Sequence, residues 1–140
     1  MVRNHQRPMP LWTTSPVAGW ILVAVLVAGL AFTWWARMHL GRLWSSSVTR
    51  KADHHIVDTG PYGTVRHPIY TGIILGTIAT AALRGTGMAW LGVLVMTIGW
   101  VVKARLEESF LRQELGAEAY DAYARRVPML VPGMTNLRRR

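Results

Sequence analysis

Charged residues are absent from three long stretches of this chain and crowded between them. Pro8 to Ala36 carries none, and within it Val17 to Ala36 forms a predominantly apolar run of 20 residues. At about 1.5 Å per residue such a run covers the roughly 30 Å hydrocarbon core of a bilayer. Pro68 to Leu83 and Gly85 to Val102 are uncharged over 16 and 18 residues. These two suit a hairpin whose ends rest in protein. The pattern therefore predicts an all-α integral membrane protein with three transmembrane helices, over 17–36, 68–83 and 88–102. It leaves an irregular N-terminus at 1–15, a connector at 37–66, a polar helical region at 103–133 and a basic tail at 134–140. In the connector, His55–Val57 reads as a short extended piece. The third span is expected to run unbroken into the helix bearing Glu107 and Glu108. Gly116 should stop that helix, because glycine readily takes the left-handed conformation at helix ends. A short helix, Ala117 to Arg125, follows.

Charge orients these elements. The net charge is +9 on 140 residues, and there is no cysteine, which excludes disulfides and thiol chemistry. Five basic residues (Arg37, Arg42, Arg50, Lys51, Arg66) lie in the connector and eight from Lys103 onward, against one, Arg84, in the turn between spans two and three. By the positive-inside rule the connector and tail are cytoplasmic and the N-terminus lies opposite. The tryptophans cluster near span ends, as an interfacial belt does. No small-residue cleavage site follows Trp34-Trp35-Ala36-Arg37, so the first span reads as a retained helix. The basic residues flank apolar spans and form no stripe beside exposed aromatics, so nucleic acid is not the expected partner. The Arg138–Arg140 tail suits anionic membrane lipids.

Candidate chemistry concentrates in two blocks. In the first, a Gly-Pro-rich turn (Gly60, Pro61, Tyr62, Gly63) leads to Arg66, His67 and Pro68, then Tyr70 and Gly72. Pro68 suits the first position of a helix, where its missing N–H costs nothing. The helix N-terminus with Arg66 and His67 could hold a carboxylate or phosphate, or Arg66 could simply snorkel to lipid phosphates. Gly72 and Gly76 form a G-x-x-x-G, a spacing better explained by close helix packing than by a ligand. In the second block, Glu107 and Glu108 stand where the third span leaves the membrane, a costly place for unpaired carboxylates. Neighbours on a helix point about 100° apart, so at most one of the pair is expected to face a shared site. Ordinary pairing of Lys103 with Glu107 and of Glu108 with Arg112 is the plainer alternative. Tyr120 and Tyr123 share a helix face and could offer aromatic surface to a cation, or simply pack against the membrane interface. The tandem His54-His55 and lone His39 make no metal site. No dinucleotide or P-loop fingerprint occurs. Cations on one block and a carboxylate on the other would together clamp a zwitterion.

Gly60-Pro61-Tyr62, Val65-Arg66-His67-Pro68, Tyr70, Gly72, Glu107-Glu108, Leu111, Gly116, Tyr120, Tyr123, Arg126-Val127-Pro128 and Pro132 resemble the isoprenylcysteine carboxyl methyltransferase family over roughly Trp34 to Gly133. The resemblance implies a membrane methyltransferase using S-adenosyl-L-methionine and releasing S-adenosyl-L-homocysteine. It implies a cofactor pocket, not of the Rossmann type, drawn from Tyr62, Arg66, His67, Pro68, Tyr70, Gly72, Glu107, Glu108, Tyr120 and Tyr123. Arg126, with Arg105 behind it, would orient an acceptor carboxylate, and His67 would serve as base if the acceptor needed one. The expected acceptor is lipophilic, foremost an isoprenylcysteine-like carboxylate, with a phospholipid amine as the alternative. Two departures bear on this. Relatives usually carry further spans ahead, so the substrate tunnel here would be incomplete, shared in a homo-oligomer, or smaller. Many also have a basic residue where this chain has Met129. The competing classes are a small membrane adaptor that binds anionic lipid through its basic loops, and a reductase of membrane isoprenoids.

Overall fold

A computed structural model describes residues 9–41 and 56–134. Within them the chain is helical, with no strand among the described residues: α1 (Pro16–Leu40), α2 (Pro61–Thr64), α3 (Pro68–Arg84), α4 (Gly87–Leu115) and α5 (Ala117–Arg126). The three apolar runs are α1, α3 and the first half of α4. Of the extended piece expected at His55–Val57, Ile56 and Val57 belong to no helix or strand, and His55 lies outside the described residues. So do His54, Trp44 and the Arg138–Arg140 tail. The connector contains a helical turn that sequence analysis did not separate, α2, opened by the buried Pro61.

Helix α3 is the middle member, packed on α1 along one side and on α4 along another. The α1–α3 contact is a backbone approach. A Cβ added to Gly29 would stand 2.7 Å from the Gly72 carbonyl, and one added to Gly72 would collide with Thr33 and the Gly29 carbonyl. Thr33 Oγ1 donates to Gly29 O (3.0 Å) and reaches Ile69 O across the interface (3.3 Å). Small residues are what permit two apolar helices to meet this closely. Gly72 is thereby used in helix packing, its open face filled by α1.

Helices α1 and α4 are long and apolar enough to cross a membrane, and their apolar stretches are only 6% buried. The core helix of a water-soluble fold would be mostly buried. Here Trp20, Leu91 and Ile98 point outward, so these surfaces require an apolar surrounding. Helix α3, with 17 residues, is about 25 Å long and slightly short for a span. The end of α1, residues 56–67, the start of α3 and the polar half of α4 gather at one end. The α3–α4 turn and the N-terminal segment lie at the other. At that second end, Leu11 N donates to Gly85 O (2.6 Å) and Trp12 Nε1 to Ala82 O (3.0 Å), covering carbonyls left over at the end of α3.

Candidate active site

The charged end is built around Arg66. The turn α2 and extended Val65 deliver Arg66 and His67 to the start of α3, where the fully buried Pro68 takes the first helical position. Arg66 Nε donates to Glu108 Oε1 at 2.7 Å, and Nη1 donates to the carbonyls of Ala124 (3.0 Å) and Val127 (2.7 Å). His67 Nε2 donates to the same Glu108 oxygen at 3.0 Å. The backbone repeats the link: Arg66 N–H donates to Pro128 O, His67 N–H to Met129 O, and the Thr71 hydroxyl to Leu130 O. Three segments are thus tied by one arginine and a short run of amides. In the expected clamp, Arg66 and Glu108 were to hold opposite ends of a ligand. The structure instead joins them to each other.

Glu107 serves differently. The Tyr70 hydroxyl donates to Glu107 Oε1 at 2.6 Å, Lys103 Nζ stands 4.0 Å away, and His67 Nδ1 is 3.7 Å from Oε2. Its side chain is 44% exposed, against 18% for Glu108. Both glutamates therefore face the start of α3, against the expectation that at most one would. Ala104, one turn earlier on α4, is fully buried. The plainer pairings are half realised. Lys103 does approach Glu107, whereas Arg112 pairs with Asp121 at 2.7 Å.

Three rings stack beside Glu107. His67 and Tyr70 lie nearly parallel (4°, centroids 5.4 Å apart), and Tyr70 stacks on Trp100 at 4.5 Å. Trp100 was read only as an interfacial residue. Its spacing from Ala104, Glu107 and Glu108, on one helical face, was the available signal. Tyr62 stacks on His39, which shares a hydrogen bond with Thr59 (3.0 Å).

Tyr120 and Tyr123 are each 5% exposed and, with Val127, form the core beneath α5, packed on Ile56 and Leu111. Their rings are packed into that core and not exposed at the surface. The i,i+3 spacing is the inward stripe of an amphipathic helix. The Tyr123 hydroxyl donates to Tyr62 O at 2.8 Å, fastening α5 to α2. Arg126 is exposed and lies on Asp58 at 3.3 Å, and Arg105 is exposed on α4. The structure brings neither arginine into the cluster.

Burial pushes the Tyr62 hydroxyl up to about 12, with the Glu107 charge adding to the rise and Arg37 opposing it. Burial likewise raises Tyr120 and Tyr123. These hydroxyls remain protonated donors at neutral pH. Glu108 lies beyond the apolar stretch of α4. Burial disfavours its charge, but hydrogen bonds from His67 and Arg66 and the guanidinium charge outweigh it, holding the carboxyl below its ordinary value.

Residues 21–113 match the family described as the isoprenylcysteine carboxyl methyltransferase (ICMT) family. The chain is 34% identical over 94% of its length to methanethiol S-methyltransferase 2 of Bradyrhizobium diazoefficiens, spanning 53% of that protein. It is 30% identical over 85% of its length to protein-S-isoprenylcysteine O-methyltransferase B of Arabidopsis thaliana, spanning 56% of it. With the nickel-cobalt-cadmium resistance protein NccN of Alcaligenes xylosoxydans xylosoxydans it shares 28% identity over 85% of its length, spanning 55% of it. The chain thus spans about half the length of these relatives.

Proposed function

This chain belongs to the isoprenylcysteine carboxyl methyltransferase family, and on that premise we propose that it transfers a methyl group from S-adenosylmethionine to a lipophilic acceptor at the membrane surface. The observation that carries the reading is the meeting of the two sequence blocks, about 40 residues apart, in one half-open cluster of Glu107, Tyr70, His67 and Trp100. Its donor set suits the cationic groups of such a cofactor. Glu107 is a partly exposed carboxylate, and Tyr70 and Trp100 place aromatic rings beside it, both attractive to an ammonium or sulfonium. The first turn of α3 offers the N–H groups of Ile69 and Tyr70, without intrahelical acceptors, to a carboxylate. The bound cofactor would supply an electrophilic methyl on sulfur.

The chain's own residues then bind, orient and exclude water. Arg66 and Glu108 fix the start of α3 against α4 and α5, and Tyr70 holds Glu107 in place. If the acceptor is a carboxylate it is already ionised at neutral pH and needs no base. Proximity and alignment would then do most of the work, effects able to supply roughly 7–11 kcal/mol. If the acceptor is a thiol or an amine, Glu107 is the carboxylate placed to take its proton, with His67 beside it. The basic loops flanking the spans support a site that faces the cytoplasm.

The test is methyl transfer from labelled S-adenosylmethionine, in lipid nanodiscs, to an isoprenylcysteine acid, an aminophospholipid and a small alkyl thiol in turn. Transfer to any one establishes the reaction and names the acceptor. No transfer, with no binding of S-adenosylhomocysteine, would favour the adaptor reading.

A further inference from the structure

Lys103 stands at the half-open side of the cluster, where the methyl-transfer reading gives it no task. Trp100, Lys103 and Glu107 follow at i, i+3 and i+7, so α4 presents them along one face. The Lys103 ammonium lies 4.0 Å from Glu107 Oε1 and 6.0 Å from the centre of the Trp100 ring. Those are the carboxylate and the ring that would attract a cationic ligand. Two groups therefore attend Oε1, and they differ in kind. The Tyr70 hydroxyl donates at 2.6 Å from a buried side chain stacked on both His67 and Trp100. Lys103 is 58% exposed on a flexible stem, in a pair too long and too wet to add much stability. His67, by contrast, is buried and hydrogen-bonded to Glu108, so it stays.

We propose that Lys103 is a specificity-determining residue: its ammonium competes with the ligand's positive charge for Glu107 and Trp100, and so makes affinity depend on the charge of the ligand's sulfur. The inference rests on the methyl-transfer reading and deepens it. S-adenosylmethionine carries a sulfonium, and S-adenosylhomocysteine, its thioether product, carries neutral sulfur. A cation beside the site opposes the first more than the second, because like charges a few ångströms apart repel. Exposure lets the ammonium swing outward as a cation approaches, while the Tyr70 hydrogen bond keeps Glu107 aimed. Lys103 thereby sets how strongly the product competes with the methyl donor.

The experiment is calorimetric titration of S-adenosylmethionine and of S-adenosylhomocysteine into the solubilised full chain, Lys103→Gln and Lys103→Arg. Lys103→Gln should shift the ratio of the two affinities toward S-adenosylmethionine by about threefold to tenfold. Lys103→Arg, which keeps the charge, should leave that ratio as it is in the unaltered protein. Unfolding temperature should be the same in all three, since the pair is exposed. If both ligands bind and Lys103→Gln leaves the ratio unchanged, or weakens both alike, the inference is overturned and the methyl-transfer reading stands. Binding of neither ligand to the folded, unaltered protein would overturn both.

Discussion

The two ends of α3 are held by opposite means. At the Gly85 end, neutral donors from the N-terminal segment cover backbone carbonyls, and Trp12 rests on Trp90 with centroids 6.3 Å apart. At the Arg66 end, a guanidinium, an imidazole and two carboxylates are gathered within hydrogen-bonding reach. A helix end can be closed without charge, as the Gly85 end demonstrates. Charges near a membrane are expensive, so their concentration at one end marks that end as the candidate for chemistry. Within it, labour is divided again: Glu108 is tied to the fold, and Glu107 is left partly open.

The largest effect should come from Arg66→Ala. It leaves Glu108 without its nearest cation and strips the carbonyls of Ala124 and Val127 of their donor. Breaking a buried pair of this kind costs roughly 3–5 kcal/mol. Thermal unfolding in detergent should fall sharply, and hydrogen exchange in α5 should accelerate most. Glu107→Gln should behave otherwise. S-adenosylhomocysteine affinity should drop about tenfold to a hundredfold, with little change in unfolding temperature, because hydrogen bonds to a charged group are worth about 1.5–3 kcal/mol. Trp12→Phe sharpens the contrast from the neutral end. Losing the indole donor to Ala82 O should cost about 1 kcal/mol of stability and leave cofactor affinity untouched. The smallest effect concerns pH. Glu108 titrates lower in the folded chain than unfolded, so its stabilisation is present above the ordinary glutamate value of about 4.3 and is lost only as pH falls through the lowered one. From pH 7 to 5 its contribution should stay constant. Loosening of α5 attributable to this carboxylate, read as hydrogen exchange absent from Glu108→Gln, should appear only below that window.

The elements were largely legible because their signals are local. Pro68 opens α3, Gly85 at φ 62° closes it, and Gly116 at φ 93° separates α4 from α5, all positions where backbone preference alone decides. The G-x-x-x-G pointed to a close helix approach that Gly29 and Thr33 complete. The site was legible as two blocks, but not as a set of contacts. Whether Arg66 meets a ligand or Glu108, 42 residues away, depends on how far apart α3 and α4 stand, which no local pattern encodes. The tyrosines of α5 were ambiguous for a related reason. Their spacing is equally that of a core stripe, and only the packing of Ile56 and Leu111 decides which it is. Arg126, expected to orient an acceptor carboxylate, has its side chain on Asp58.

The central claim, that the charged end binds the cofactor through the half-open Glu107, is tested most directly by calorimetric titration of S-adenosylhomocysteine into the solubilised protein, Glu107→Gln and Trp12→Phe. The account predicts saturable micromolar binding to the unaltered protein and to Trp12→Phe, and a loss of about tenfold or more in Glu107→Gln. Absence of binding in folded, monodisperse protein, or equal affinity in all three, would contradict it.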